Sequence, residues 1–367
     1  MRILKLIASV AALLVVLAAI GVLVLLLVSD GRPIDYIQAQ IVGFRLSGRD
    51  DDLTRAVGSD DTPIRFTVQS GDTPRAIAGN LLAAGLISDA DLFVDYARYQ
   101  RWDTELEAGT YFLNRAQSLS QIAAALTDSR GSVIPFRVIE GTRLEEIAES
   151  IDANPLFGFS GADFLRVTDA GALPDPTFAA IVGLPAGASH EGFMFPNTYS
   201  LPPAIDAIGL RETLTDEFIT QTNDAGVTSA AVAQNWSLFQ VATLASIVQR
   251  EVVRIDEAPK VAGVYLNRLD IGMKLDADPT VQYPLGQPGD WWTQITRADY
   301  SDVISPYNTY LNNGLPPGPI ANAGLAMLRA VVAPEPSEFF YFQAECSGNG
   351  YHRFARTFDE HLANSCF

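Results

Sequence analysis

The sequence is poor in the residues from which metal centres are built. Two cysteines and three histidines are present, and their positions match no spacing typical of a metal site: Cys346, Cys366, His190, His352 and His361. We therefore expect neither a metal nor a cofactor. The two cysteines form either one disulfide, which an oxidising compartment would favour, or a pair of buried thiols.

Basic residues are also scarce. Lysine and arginine number 25 against 43 aspartates and glutamates, which leaves a net charge of −18 at pH 7. Nucleic acids and anionic lipid surfaces are bound through basic surface, so this balance argues against both as partners. A neutral or mixed polymer such as a glycan fits the composition better.

One segment carries no charge at all. Leu6 to Val28 is a run of 23 uncharged residues without proline. A membrane-spanning helix needs about 20 such residues, whereas a cleaved signal peptide has a shorter apolar core and a small-residue cleavage site. We predict a retained single-pass anchor in the inner (cytoplasmic) membrane. Arg2 and Lys5 precede the run, so the bulk of the chain should be periplasmic or otherwise extracytoplasmic.

The chain divides into four predicted parts of an α+β protein. Residues 1–28 form the cytoplasmic stub and transmembrane anchor, and 29–63 form a charged, turn-rich juxtamembrane connector expected to be mobile. A small α/β subdomain at 64–131 and a larger mixed α/β domain at 132–367 follow. Loops rich in proline and aromatic residues on the larger domain are where a binding site is expected.

The small subdomain begins with a recognisable pattern. Phe66-Thr-Val-Gln-Ser-Gly-Asp-Thr-Pro predicts a strand, a turn and a helix that Asp72 or Thr73 caps and Pro74 opens. A second copy starts at Phe136, with a threonine-capped helix. The first copy resembles the LysM module, a βααβ unit that binds glycans containing N-acetylglucosamine. The alternative is a small packing module that binds nothing.

Apolar periodicity predicts the framework of the larger domain. Its last strand is expected to be buried, at Phe339-Phe-Tyr-Phe-Gln-Ala. Five helices are predicted at Ala162–Asp169, Ala207–Asn223, Trp236–Val253, Ala258–Asp270 and Gly324–Val332.

Glu251 is the candidate catalytic residue. Leu244, Ile247 and Val248 precede it by seven, four and three positions, so at helical spacing they share its face. A carboxyl held against apolar neighbours has a raised pKa and can act as a general acid near neutral pH. The alternative is a last helical turn open to solvent, in which Glu251 pairs with Arg254.

Four loops carry candidate substrate-binding residues. They combine aromatic faces, which stack on sugar rings, with hydroxyls, amides and carboxylates, which bond sugar hydroxyls. Glu191 has a second interpretation as the cap of its own turn. The candidates are Glu191, Asp278, Thr280, Tyr307, Asn308, Thr309 and His352.

Together these segments resemble the YceG-like endolytic murein transglycosylases. The resemblance rests on Glu191-Gly-Phe-Met-Phe-Pro-Asn-Thr-Tyr, Leu244-Ala-Ser-Ile-Val-Gln-Arg-Glu251, Val261-Ala-Gly-Val-Tyr-Leu-Asn-Arg-Leu, Gly272-Met-Lys-Leu-Asp-Ala-Asp-Pro-Thr-Val, Ser305-Pro-Tyr-Asn-Thr-Tyr and Gly314-Leu-Pro-Pro-Gly-Pro-Ile. It implies an enzyme that cuts nascent peptidoglycan strands internally, with cell-wall synthases as candidate partners.

The family's catalytic glutamate falls on Glu251. Family members often have Glu-Lys-Glu where this chain has Gln249-Arg250-Glu251, so only the last position is acidic here. The family commonly has Gln at the position of Asp276 and Asp at that of Asn197. Neither position is therefore assigned a proton-transfer role.

The resemblance implies a mechanism that needs one acid. Glu251 would protonate the bond between N-acetylmuramic acid and N-acetylglucosamine, and then activate the muramyl C6 hydroxyl to give a 1,6-anhydro end. Two alternatives stay open. One is a non-catalytic glycan-binding scaffold of the wall-synthesis machinery, and the other is a conventional glycosidase in which Glu191 supplies a second carboxylate.

Overall fold

The computed structural model describes residues 41–366, with the side chain of Arg130 excepted. The run predicted to span the membrane, residues 6–28, lies outside this range. Within 41–366, no helix is both long and apolar enough to cross a bilayer.

The chain forms two compact units that divide between Val133 and Ile134. The sequence predicts a domain boundary two residues earlier, between 131 and 132. Each described unit, 41–133 and 134–366, is built around its own buried residues.

The first unit is a two-stranded sheet with helices. Its strands, β1 (Ile64–Val68) and β2 (Gly109–Leu113), pair antiparallel, with Ile64 opposite Leu113. Residues 41–46 are helical, and the other helices are α1 (Asp50–Thr54), α2 (Pro74–Ala83), α3 (Ala90–Tyr99) and α4 (Leu119–Ala125).

Local sequence explains where these helices begin. Thr73 caps α2 by accepting a hydrogen bond from the Ala76 amide, and Asp89 caps α3 in the same way through Leu92. The order β1–α2–α3–β2 is the one that a LysM-like unit would have, whereas glycan binding by this unit remains a prediction.

Part of the predicted connector is packed rather than free. Val42, Leu46 and Leu53 are buried in the same hydrophobic cluster as the core of the first unit. The expectation of a mobile segment is therefore wrong for these turns. Their apolar side chains are buried, although the charged residues around them in the sequence suggested an exposed segment.

The second unit contains two short antiparallel strand pairs. The first is β3 (Ile134–Arg137) with β4 (Thr198–Leu201), and the last is β5 (Tyr341–Ala344) with β6 (His352–Ala355). The helices between them are α5 (Leu144–Asp152), α6 (Gly161–Thr168), α7 (Pro176–Val182), α8 (Ala207–Asp224), α9 (Val227–Ala233), α10 (Leu238–Glu251), α11 (Ala258–Asp270), α12 (Pro279–Leu285), α13 (Asp299–Asp302) and α14 (Leu325–Val332), and α15 (Phe358–Ala363) follows β6.

Helix α10 is the centre of the second unit. From Leu238 to Val248 all its residues except Gln240 are buried, on every side of the helix. It packs against α11 and α14. A helix surrounded by apolar side chains is held in place by its neighbours, so its C-terminal residue is presented at a fixed position.

Two local predictions for this unit are wrong. Arg143, not Thr142, occupies the N-cap position of α5 and makes no capping hydrogen bond with its side chain, while the Thr142 hydroxyl donates to the Ile139 carbonyl and closes the preceding turn. Strand β5 forms where expected, but its residues are half-buried or exposed, since the two-stranded hairpin has one open face.

The C-terminal segment is fastened to the hairpin. Cys346 and Cys366 form a disulfide, so the disulfide interpretation is confirmed. His361 on α15 also stacks on Tyr341 of β5, with 5.4 Å between ring centroids.

Candidate active site

Glu251 is the last residue of α10. The helix begins with a capping box in which the Ser237 hydroxyl accepts from the Gln240 amide and the Gln240 side chain accepts from the Ser237 amide. It ends after Glu251, because Val252 has extended backbone angles. The acid therefore stands where a buried helix reaches the surface, and its side chain is half-buried.

The surroundings of Glu251 favour its neutral form. Burial raises its pKa to about 7, and the negative charge of Asp278 adds to this effect. A hydrogen bond from Tyr265 and the positive charge of Arg268 oppose it without cancelling it. The carboxyl can therefore both donate and accept a proton near neutral pH.

Arg254 does not pair with Glu251. Its guanidinium donates to the Asn349 carbonyl at 2.9 Å and lies over the ring of Tyr351, 5.2 Å from the ring centroid. The solvent-exposed alternative for the last turn of α10 is thus wrong.

Tyr265 of α11 is the direct partner of Glu251. Its hydroxyl donates to Glu251 Oε1 at 2.8 Å, and its ring is 1% exposed. Phe342 of the β5–β6 hairpin meets that ring edge-on, with 5.6 Å between centroids. The hairpin therefore supports the tyrosine that bonds the acid.

Asp278 lies beside Glu251 and has an aromatic partner of its own. The hydroxyl of Tyr310 donates to Asp278 Oδ1 at 2.6 Å, and Tyr300 stacks on Tyr310 with 4.1 Å between centroids. All three side chains are half-buried. They offer an aromatic face and a carboxylate close to the acid, which is the combination that a sugar ring requires.

Three other predicted contacts lie below the surface. Thr280, Asn308 and Thr309 are at most 1% exposed. The two threonine hydroxyls bond each other at 2.8 Å, and the Asn308 amide donates to the carbonyls of Tyr300 and Val303. These side chains hold two loops together, and a direct substrate contact finds no support in this geometry.

Glu191 is enclosed by donors and is 2% exposed. It accepts hydrogen bonds from the amides of Leu144 and Gly192 and from the side chain of Asn322. Burial and the charge of Glu145 raise its pKa to about 8. The bond from the Gly192 amide lies in its own turn, where the second interpretation expects a cap, and the bond from the Leu144 amide satisfies the first turn of α5 as well.

Glu191 and Glu251 have separate electrostatic surroundings. The charged groups that shift the pKa of Glu191 are Glu145 and Arg143, whereas those around Glu251 are Asp278 and Arg268. Neither glutamate is among the charges that act on the other. Asp278 is therefore the carboxylate whose charge reaches Glu251.

His352 and Tyr307 contact residues other than Glu251. His352 bonds Glu257 at 2.9 Å and meets the ring of Phe342, so one ring separates it from Tyr265. Tyr307 is half-buried and tilts against Tyr283, with 4.8 Å between centroids.

The described residues contain no metal cluster, and their surface cavity lies away from the candidate site. Within 41–366, no cluster of three or more His, Cys, Asp or Glu side chains could hold a metal ion. A surface cavity of about 350 Å³ runs along α5, lined by residues that include Val138, Thr142, Glu146 and Ile147. It contains none of the candidate site residues.

Known proteins resemble this chain over most of its length. The model of the YceG-like family matches residues 66–366. The chain belongs to this family. An endolytic murein transglycosylase of Bacillus subtilis (strain 168) is 31% identical over 312 residues, which cover 82% of this chain and 83% of that protein.

Two further proteins are similar to this chain. An endolytic murein transglycosylase of Streptococcus pneumoniae serotype 2 is 27% identical over 81% of this chain and 57% of its own length. The crystal structure of a YceG-like protein from Listeria monocytogenes is 30% identical, with a TM-score of 0.54, and the match covers 82% of this chain and 98% of that one.

Sequence reasoning missed the tyrosines of this YceG-like site. Tyr265, Tyr300 and Tyr310 received no role, although Tyr265 and Tyr310 lie inside two of the motifs that carry the resemblance. One signal was available for Tyr265, because at helical spacing it shares a face of α11 with Val261 and Arg268. A buried face that holds a tyrosine and an arginine beside an acid indicates a polar site.

Proposed function

We propose that this chain is a membrane-anchored endolytic peptidoglycan transglycosylase with Glu251 as its single general acid and base. One observation carries the proposal, namely a half-buried carboxyl with a pKa of about 7 at the end of a rigid buried helix. The names of the relatives from Bacillus subtilis and Streptococcus pneumoniae support the same substrate.

The first step is protonation of the glycosidic oxygen. Neutral Glu251 gives its proton to the oxygen between N-acetylmuramic acid and N-acetylglucosamine, and the bond from that oxygen to the muramyl C1 breaks. Positive charge develops at C1, where the acetamide of the same sugar can stabilise it. The nearby Asp278 carboxylate also favours this charge.

The second step closes the sugar on itself. Glu251, now ionised, takes the proton of the muramyl C6 hydroxyl, and the C6 oxygen forms a bond with C1. The products are a 1,6-anhydromuramyl end and a free N-acetylglucosamine hydroxyl, and the acid has regained its proton. A pKa of about 7 for Glu251 serves both steps, since the protonated and the ionised carboxyl have similar free energies at neutral pH.

A hydrolase is the second candidate, and Asp278 is the observation that favours it. It is the carboxylate whose charge acts on Glu251, and it could activate water in the manner of a two-carboxylate glycosidase. Its Oδ1 is, however, engaged by Tyr310. The two reactions differ in their products, because only hydrolysis adds a water molecule.

The remaining parts of the proposal rest on the sequence. Residues 6–28 anchor the protein in the cytoplasmic membrane, and the two folded units lie on its outer face near the cell-wall synthases. The first unit holds the glycan strand through its LysM-like fold.

The test is digestion of purified sacculi, followed by mass analysis of the released muropeptides. We expect anhydro ends with the wild type and no products with Glu251→Gln. The matched control is Glu212→Gln, which changes an exposed carboxyl on α8 and should retain full activity. Products heavier by one water would establish the hydrolase, and an inactive wild type that still binds glycan would favour the scaffold.

A further inference from the structure

Tyr265 is tied to Glu251 more closely than any other side chain. Its hydroxyl lies 2.8 Å from Glu251 Oε1, its ring is 1% exposed, and Phe342 meets that ring edge-on. Within the described residues, Oε1 receives this hydrogen bond and Oε2 receives none. The two oxygens of the acid are therefore not equivalent.

The direction of the Tyr265 bond is fixed. Burial and the charge of Glu251 raise the pKa of Tyr265 well above its ordinary value, so the phenol keeps its proton. A phenol that keeps its proton donates, and Oε1 accepts. The proton of the neutral acid is then carried by Oε2, the oxygen that receives no hydrogen bond within 41–366.

We infer that Tyr265 is a positioning residue that holds Oε1 of Glu251 and reserves Oε2 for proton exchange with the glycan. This inference rests on the proposed function. In the first step the Oε2 proton passes to the glycosidic oxygen, and in the second Oε2 receives the proton of the C6 hydroxyl. Tyr265 donates to Oε1 throughout, and it bonds the ionised form more strongly.

Other groups around Glu251 set its charge but do not orient it. Arg268 of α11 and Asp278 before α12 act through their charges, one in each direction. Tyr310 bonds Asp278 rather than Glu251. The loss of the Tyr265 hydroxyl would thus remove both the only hydrogen bond of the carboxyl within 41–366 and a contribution that lowers its pKa.

The test is Tyr265→Phe in the full-length protein, assayed on purified glycan strands across pH. We expect kcat to fall about 10- to 100-fold with KM unchanged, because the acid is misoriented while the substrate contacts remain. The pH above which kcat/KM falls should rise by about one unit, because the carboxylate has lost a donor.

The matched control is Tyr111→Phe in the first unit. Tyr111 is also fully buried, and its hydroxyl donates to the backbone carbonyls of Glu107 and Leu126. It should lose a similar amount of stability and keep both the wild-type kcat and the wild-type pH profile. A change in activity shared by both variants would indicate a general packing effect and overturn the inference.

A second measurement does not depend on activity. In a carbon-13 NMR titration of labelled glutamate side chains, the Glu251 signal is the one missing from Glu251→Gln, and its pKa should rise in Tyr265→Phe. If that variant does not fold, 3-fluorotyrosine at position 265, a stronger donor, should lower the pKa instead. An unchanged pKa overturns the inference even if sacculi are cut, and failure of the wild type to form anhydro ends overturns only the proposed reaction.

Discussion

The pKa of Glu251 is set by burial, which raises it, and by two neighbours, Tyr265 and Arg268, which both lower it. Burial alone would keep it neutral, and the Tyr265 hydroxyl and Arg268 bring its pKa back to about 7. The sequence could predict the first part, because the apolar face of α10 is visible in its periodicity. It could not predict the second, because Tyr265 reaches Glu251 only through the packing of α11 against α10.

This balance predicts the pH dependence of cleavage. The first step needs neutral Glu251, so kcat/KM should fall about tenfold for each pH unit above about 7. Initial rates on sacculi between about pH 5 and pH 9 would measure it. A rate that stays constant to the upper end of that range would exclude Glu251 as the acid.

Glu191 should make the fold less stable as pH rises. Its pKa is about 8 in the folded state and near 4.5 when unfolded, so the folded state favours the protonated form. The stabilisation is complete below about pH 4.5 and is lost as pH rises through about 8, a change on the order of 5 kcal/mol, since one pKa unit corresponds to about 1.4 kcal/mol. Urea unfolding of wild type and Glu191→Gln at several pH values would measure the difference.

The difference between the wild type and Glu191→Gln gives the contribution of Glu191 alone to the free energy of unfolding. In the wild type, the free energy of unfolding should decline across this range, and in Glu191→Gln the decline should be smaller. Parallel curves for the two proteins would mean that Glu191 is ionised in the folded state.

At the scale of elements, the helices were more predictable than the loops. Helix α11 begins and ends at the predicted residues, α10 is shorter than predicted by two positions at each end, and α14 begins one position later and ends where predicted. Caps and apolar periodicity depend on residues a few positions apart, so they can be recognised from the sequence alone. The burial of Thr280 and Thr309 depends on two loops that meet only in the fold, and no local pattern reports it.

The loop after Glu191 has a tight contact that can be tested. Gly192 has φ +88°, and a Cβ at this position would overlap the ring of Pro319. We expect Gly192→Ala to lower the free energy of unfolding by about 3 kcal/mol, from backbone strain and steric overlap together. Denaturant unfolding and sacculus cleavage would both report the loss.

Gly187 provides the control for that substitution. It also has a positive φ, +76°, but a Cβ there would meet no atom within 4 Å. Gly187→Ala should therefore cost only the backbone strain, about 1 kcal/mol. Equal losses in the two variants would show that the contact with Pro319 contributes nothing.

At the scale of the whole molecule, every group that acts on Glu251 belongs to the second unit. We expect a chain of residues 134–367 to unfold in one cooperative transition and to produce anhydro ends from sacculi. It should also remain in the supernatant after centrifugation of lysed cells, whereas the full-length chain should sediment with the membranes. Product analysis and fractionation of the same two proteins would test both statements.

Activity and fractionation of the two proteins test different statements. A folded but inactive 134–367 chain would mean that residues 1–133 contribute to catalysis or to substrate capture. Full-length protein in the supernatant would contradict the anchor predicted at residues 6–28.

The β5–β6 hairpin contributes to the surroundings of Glu251 from a part of the chain that is synthesised late. Phe342, which backs Tyr265, is translated long after Glu251, and the strand that carries it is fastened by a bond that forms only where thiols are oxidised. A chain with reduced thiols therefore lacks the covalent link that ties the hairpin carrying Phe342 to the C-terminal segment. On the proposed location outside the cytoplasmic membrane, this link would form only after the C-terminal segment has crossed that membrane.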